Sequence, residues 1–174
     1  MHLFVEKNQM EVKIITIPPK ILIGKYLSMS LAHNKTQELW RDFMPRRKEI
    51  ANKLNNDLIS MQVYNETQNF NDFNPESRFE KWAAIEVSNY TEVPDDLKIF
   101  TLTGGLYAVF LYKGSSNKGA KAFEYIFTEW LPNSNYLIDK RPHFEVLGEK
   151  YKNDDPDSEE EIWIPIKLKN HLII

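Results

Sequence analysis

Six side chains carry most of the chemistry this sequence can offer: Glu145, Tyr107, Trp163, Trp82, Trp40 and Tyr64. An aromatic face attracts a cation by ~0.5–2 kcal/mol. A carboxylate set among such faces in a dry groove is costly alone and becomes favourable when a positive charge arrives. The set therefore suits a flat, apolar, cationic ligand. The supply is generous, with four Trp, eight Tyr and ten Phe in 174 residues.

Other chemistries find no support in the residues. With no Cys there is no disulfide scaffold, thiolate metal site or cysteine nucleophile. The four His show no ligand spacing, so no metal and no cofactor are expected. There is no G-x-G-x-x-G, no Walker loop and no G-x-S-x-G elbow. The acidic run DDPDSEEE at 154–161 lacks the glycine and terminal ligand of a calcium loop and reads as a solvated hairpin loop. Arg46-Arg47-Lys48 reads as an exposed helix face. Twenty-two basic against 25 acidic side chains, net −3, give no electrostatic reason to expect nucleic acid.

The elements that must position the six residues are legible as a coarse order. Val12–Ser30 is rich in β-branched residues and broken at Pro18-Pro19, a strand, a kink and more strand. Residues 34–55 predict a helix with Thr36 as N-cap and a kink at Pro45. Strands are expected over 58–65 and 79–88, joined by a polar loop. The second half repeats this order. A strand over 97–113 is interrupted at Gly104-Gly105, a helix over 118–130 stops before Pro132, and strands follow over 143–149 and 160–169. At an offset of 85 Lys13 meets Lys98 and Thr16 meets Thr101, and at an offset of 81 Trp82 meets Trp163.

The expected fold is therefore α+β, with two β-α-β-β modules related by a pseudo-twofold axis. Its antiparallel sheet would carry helices on one face and a central ligand groove on the other. Residues 1–9 read as an extension and 10–174 as one domain, with halves of about 10–90 and 95–170. Alternation in the last strand puts Ile162, Ile164, Ile166 and Leu168 on one face, against Glu161, Trp163, Pro165 and Lys167. In the equivalent strand Phe79, Ala83, Ile85 and Val87 oppose Glu80, Trp82 and Glu86. The aliphatic faces need the helices, so the aromatic-acidic faces would line the groove, with Trp40 and Tyr64 closing its sides. Glu145 alternates with His143 and Leu147, so a solvated strand residue is the alternative reading of that carboxylate.

The runs GGLYAVFLYKGS, FEYIFTEWLPNSNYLIDKRPHFEVLGEKY and DSEEEIWIPIK resemble the GyrI-like small-molecule-binding family, which includes gyrase-inhibitor-like proteins and effector-binding domains of AraC-type and MerR-type regulators. E-W-L-P-x-S, then R-P-x-F-E, then E-I-x-I-P-I make the combination specific. The resemblance implies a groove for cationic lipophilic compounds, in which Glu145, Tyr107 and Trp163 take the family's glutamate, tyrosine and tryptophan positions. The chain is expected to be a standalone member with no direct nucleic-acid partner. With no apolar stretch long enough for a membrane helix and no secretory signal, a cytoplasmic protein without a membrane partner is expected, and an exposed aromatic groove makes a homodimer an option. The alternatives are a hydrolase of electrophilic, cyclopropane-bearing small molecules, using Glu145 and Tyr107 as an acid–base pair, and a protein-binding regulator such as a gyrase inhibitor. Catalysis is left undecided by the residues alone.

Overall fold

The computed structural model of the protein describes residues 10–170. The expected extension over 1–9 lies outside the described residues. The strands are β1 (Glu11–Ile17), β2 (Lys20–Met29), β3 (Leu58–Tyr64), β4 (Phe79–Val87), β5 (Lys98–Leu102), β6 (Gly105–Lys113), β7 (Tyr136–Ile138), β8 (His143–Leu147) and β9 (Glu159–Leu168). The helices are α1 (Thr36–Phe43) and α2 (Gly119–Tyr125).

The first helix is shorter than the apolar spacing suggests. Leu39 and Phe43, four apart, bury against the sheet. Pro45 then tightens the chain into a 3-10 run over Met44–Glu49, and Ile50 turns extended. Leu54, expected on the helix face, is instead in an irregular segment and 55% exposed. Thr36 is the first helical residue rather than the cap, and its N–H donates to the Asn34 side chain (2.9 Å). The second helix runs on through a π-helical turn, Ile126–Trp130, and a last turn that contains Pro132. Proline is tolerated there because it falls in the first turn of that final segment. The short strand β7 beside β9 was not expected from the sequence.

All pairing is antiparallel, in the order β1-β6-β9-β8-β3-β4-β2-β5, with β7 alongside β9. The order is mirrored about the β8–β3 seam: β1 with β5, β6 with β2, β9 with β4. This is the order a duplicated unit would give, although strand order by itself does not establish a duplication. The two interrupted strands explain the crossover. After Pro18-Pro19 the chain leaves β1, paired to β6, and joins β2, paired to β4 and β5. A Cβ on Gly104 would stand 2.5 Å from the Ile17 carbonyl oxygen and 2.8 Å from the Pro18 and Pro19 backbone. The two breaks therefore pass each other at a point where only glycine fits.

Alternation sorts the side chains as expected, but coverage is different. Ala83, Ile85 and Val87 pack under α1, and Ile162, Ile164 and Ile166 under α2. Among the described residues no helix packs on the opposite face, yet Tyr107, Met61, Phe144 and Trp82 on it are only 0–4% exposed. Side chains from β1 to β9 on this face form one cluster, so the sheet curls over it. The expected groove on the helix-free face is thus filled by its own aromatics, because apolar surface this extensive is buried rather than left wet.

Candidate functional site

The six singled-out residues divide between the two faces of the sheet. Tyr107, Trp163 and Trp82 lie in the inner cluster. The Tyr107 and Phe144 rings meet edge to face at 5.3 Å, and Phe144 stacks on Trp163 at 5.0 Å. The Tyr107 hydroxyl donates to the Pro142 carbonyl oxygen (2.9 Å), and the Arg141 guanidinium sits 4.6 Å from the ring centroid. Burial pushes the Tyr107 phenol up to about 12, opposed by Arg141. Trp82 stacks on Tyr26 at 4.7 Å, and its indole N–H donates to Glu80 (3.1 Å).

Glu145 is on the other side. In β8, Phe144 and Val146 point into the inner cluster, so His143 and Glu145 point outward to the helix-bearing face. The expected pairing of Glu145 with Tyr107 and Trp163 is therefore not realised: the sheet itself stands between them. The acid–base pair required by the hydrolase reading is separated in the same way. Of the six, Tyr64 shares Glu145's face, and the nearby Glu145 charge adds to burial in pushing the Tyr64 phenol up to about 12. Trp40 is on this side too, but packed edge-on to Phe43 at 6.0 Å in the α1 core.

What surrounds Glu145 can be read from the register. Glu145 is opposite Ser60 on β3 and Ile162 on β9, and the next row is Lys81, Gln62 and His143 across β4, β3 and β8. Ser60, Lys81, His143 and Glu160 are all buried polar residues. Gln62, with its amide oriented so that both ends find partners, donates to the His143 carbonyl oxygen (3.2 Å) and accepts from the Lys81 ammonium. Among the described residues no carboxylate oxygen comes within 4.0 Å of that ammonium. Burial lowers the Lys81 pKa, and Glu145 and Glu160 oppose the shift. Burial raises the Glu145 carboxyl, with Lys81 opposing. Glu160 is pushed up to about 7 by burial and by Glu145, against Lys81.

The walls are aromatic. The Tyr64, Phe70 and His143 rings lie 4.9–5.4 Å apart, and Phe127 lies over His143 at 6.2 Å. Phe70 comes from a 3-10 turn in the β3–β4 loop, and Phe127 from the π-helical turn, a distortion that recurs at functional sites. His143 is driven down to about 3 by burial, so its imidazole is neutral, and its Nε2 has no hydrogen-bond partner. The site is thus two carboxyl groups and one lysine on the helix-bearing face at the β8–β3 seam, beside aromatic rings clustered about His143. Sequence reasoning missed Lys81, His143 and Glu160. Glu160 had a signal, since it continues the face of Ile162 and Ile164 by simple alternation.

A separate cleft of about 600 Å³ lies between α2, β6 and β1, lined by Lys113, Lys118, Lys121, Tyr112 and Tyr125 among others. Its lysines are the wrong sign for a cation. Among the described residues no helix is long and apolar enough to cross a membrane.

Comparison with known proteins bears on this site. The GyrI-like small molecule binding domain model matches residues 10–167. The transcriptional regulator BrlR of Pseudomonas aeruginosa is 26% identical over 160 residues, which are 91% of this chain and 56% of the regulator. The chain thus spans little more than half of that relative. The solved structure of SAV2435 bound to tetraphenylphosphonium has a TM-score of 0.66 at 16% identity, covering 91% of this chain and 94% of that one. The EcmrR C-terminal domain has a TM-score of 0.69 at 13% identity, covering 92% and 99%. The structural likenesses establish the fold.

Proposed function

Because the chain belongs to the GyrI-like family of small-molecule binding domains, we propose that it captures an amphipathic cation at the β8–β3 seam, with Glu145 as the charge partner. The observation that carries this reading is the Glu145 carboxylate itself. It lies on the face that holds Tyr64 and His143, with the Glu160 carboxyl diagonal to it on one side and Lys81 on the other. A buried, incompletely compensated negative charge is unfavourable until a cation joins it. Aromatic walls supply the apolar contact and the cation–π attraction that a lipophilic cation needs. The tetraphenylphosphonium bound by SAV2435 is a ligand of this chemistry on the same fold.

The inner aromatic cluster has a different part in this reading. Tyr107, Trp163 and Trp82 hold the curled sheet together and keep β8 in register, which aims Glu145 outward. The protein acts as a binder that needs no acid–base pair.

The test is a thermal-shift and tryptophan-fluorescence titration with tetraphenylphosphonium, with the neutral triphenylphosphine oxide beside it. Saturable quenching and a raised melting temperature with the cation alone, weakened in Glu145→Gln, support the proposal, since a ligand of the native state stabilises it by mass action. Equal responses to both compounds, or an unchanged response in Glu145→Gln, refute the charge argument.

A further inference from the structure

The carboxylate at the seam does not stand alone, and its two charged neighbours make a definite demand on a ligand. In the β8–β9 register Glu145 is opposite Ile162. Glu160, two residues back on the same face, therefore occupies the diagonal position, where side chains on neighbouring strands stand ~7–8 Å apart at the backbone. Lys81 approaches from the other side, on β4, across Gln62 and Ser60 of β3. The residues between the three charges, Ser60, Gln62 and His143, are neutral. The titratable groups facing Glu160 are Glu145 on β8, Lys81 on β4, Tyr112 opposite it on β6, and Tyr151 from the β8–β9 connection. Both tyrosines have raised pKa values and stay neutral. Among the described residues the seam thus brings together one lysine and two carboxyl groups on one face.

Resting on the cation-binding reading, we propose that Lys81 and Glu160 determine the charge of the ligand accepted at Glu145. The Lys81 ammonium neutralises one carboxylate from within the fold, the pair has room for a single further positive charge, and a monocation enters as the proton shared by the two carboxylates leaves for solvent.

The charge count supports each part. With Lys81 protonated and the pair holding one proton, the seam is neutral and tolerates burial. A monocation that displaces this proton leaves the seam neutral again, with both carboxylates ionised. A dication would leave an uncompensated positive charge in the same dry space. A neutral ligand of the same shape gains nothing from the carboxylates. The proton belongs to the pair, because two buried carboxyl groups at diagonal positions on one face titrate together. The neutral His143 adds an unpartnered Nε2 to the same wall, polar without being charged.

The decisive experiment is calorimetric titration of the full chain with tetraphenylphosphonium at pH 7, in two buffers of different ionisation enthalpy. The difference in apparent enthalpy counts the protons released. The wild type is expected to release about half a proton per cation, as a pair titrating near neutrality requires, and Glu160→Gln to release none. Lys81→Met is expected to bind tetraphenylphosphonium about tenfold more tightly and to accept the dication dequalinium. Lys81→Arg should behave as the wild type. Equal enthalpies in both buffers, or undiminished release in Glu160→Gln, overturn the inference while the cation-binding reading stands. Absence of cation binding in the wild type overturns both. Where Lys81→Met fails to fold by circular dichroism, the proton count of Glu160→Gln decides the matter.

Discussion

The two faces of the sheet use similar residues for opposite ends. On the inner face Tyr107, Phe144, Trp163 and Trp82 pack ring against ring, with the Tyr107 hydroxyl on Pro142, the Trp82 indole on Glu80 and the Trp163 indole N–H buried in the packing. On the outer face, at the β8–β3 seam, Tyr64, Phe70, Phe127 and His143 cluster on the face that also holds Lys81, Glu145 and Glu160. Aromatic content therefore does not by itself separate the two faces. The difference between the two faces is that carboxyl groups whose pKa burial raises, Glu145 and Glu160, stand on the outer one. A face of neutral rings gains stability from burial, whereas a buried carboxyl group makes burial costly unless it is neutralised.

This contrast can be broken at several points. Phe144→Ala should cost about 3–5 kcal/mol of stability, the usual loss for a buried phenylalanine, in a chemical denaturation series. If the seam were structural and the inner face a site, the loss would be small. Glu145→Gln should weaken tetraphenylphosphonium by about tenfold or more, equivalent to ~1.4 kcal/mol, with little loss of melting temperature. A variant that loses stability and keeps affinity would reverse the assignment of the two faces.

The seam also has a pH signature of its own. Glu160 titrates near 7 when folded and lower when unfolded, so the folded state holds the extra proton. That contribution is fully present below the unfolded pKa and is lost as pH rises through about 7. Between pH 5 and pH 8 the wild type should lose on the order of 1–2 kcal/mol more than Glu160→Gln. His143 has the opposite sign. Its folded pKa is depressed to about 3, so its contribution is complete above the unfolded value and is lost as pH falls toward about 3. Melting temperature against pH for Glu160→Gln and His143→Gln separates the two limbs.

Smaller effects sharpen the inner face. Tyr107→Phe removes the bond to Pro142 and should cost about 1 kcal/mol. Trp163 has a buried indole N–H with no partner. Replacing it with Phe removes packing but no hydrogen bond, so any loss should come from volume alone, measured as a shift in denaturation midpoint.

Much of the architecture was legible in the residues. The breaks at Pro18-Pro19 and Gly104-Gly105, the alternation of β4 and β9, and the aliphatic stripes under the helices follow from proline, glycine and period-two patterning. The motifs R-P-x-F-E and E-I-x-I-P-I were enough to resemble the family that the chain belongs to. Helix ends were less legible: Pro45 closed α1 early, and Pro132 did not stop the run after α2.

The sequence by itself determined the strands, their inward and outward sets and the two helical covers, and it singled out Glu145 as a candidate carboxylate in an aromatic-rich chain. Which aromatics it meets was decided by tertiary structure. Glu145 and Phe144 are neighbours in the chain and point to opposite faces, and only the pairing of β8 with β3 and β9 fixes what stands across from each. Lys81, 64 residues earlier, joins the same seam through that register. Alternation along one strand is a local property, while charge compensation across four strands depends on which strands the fold sets side by side.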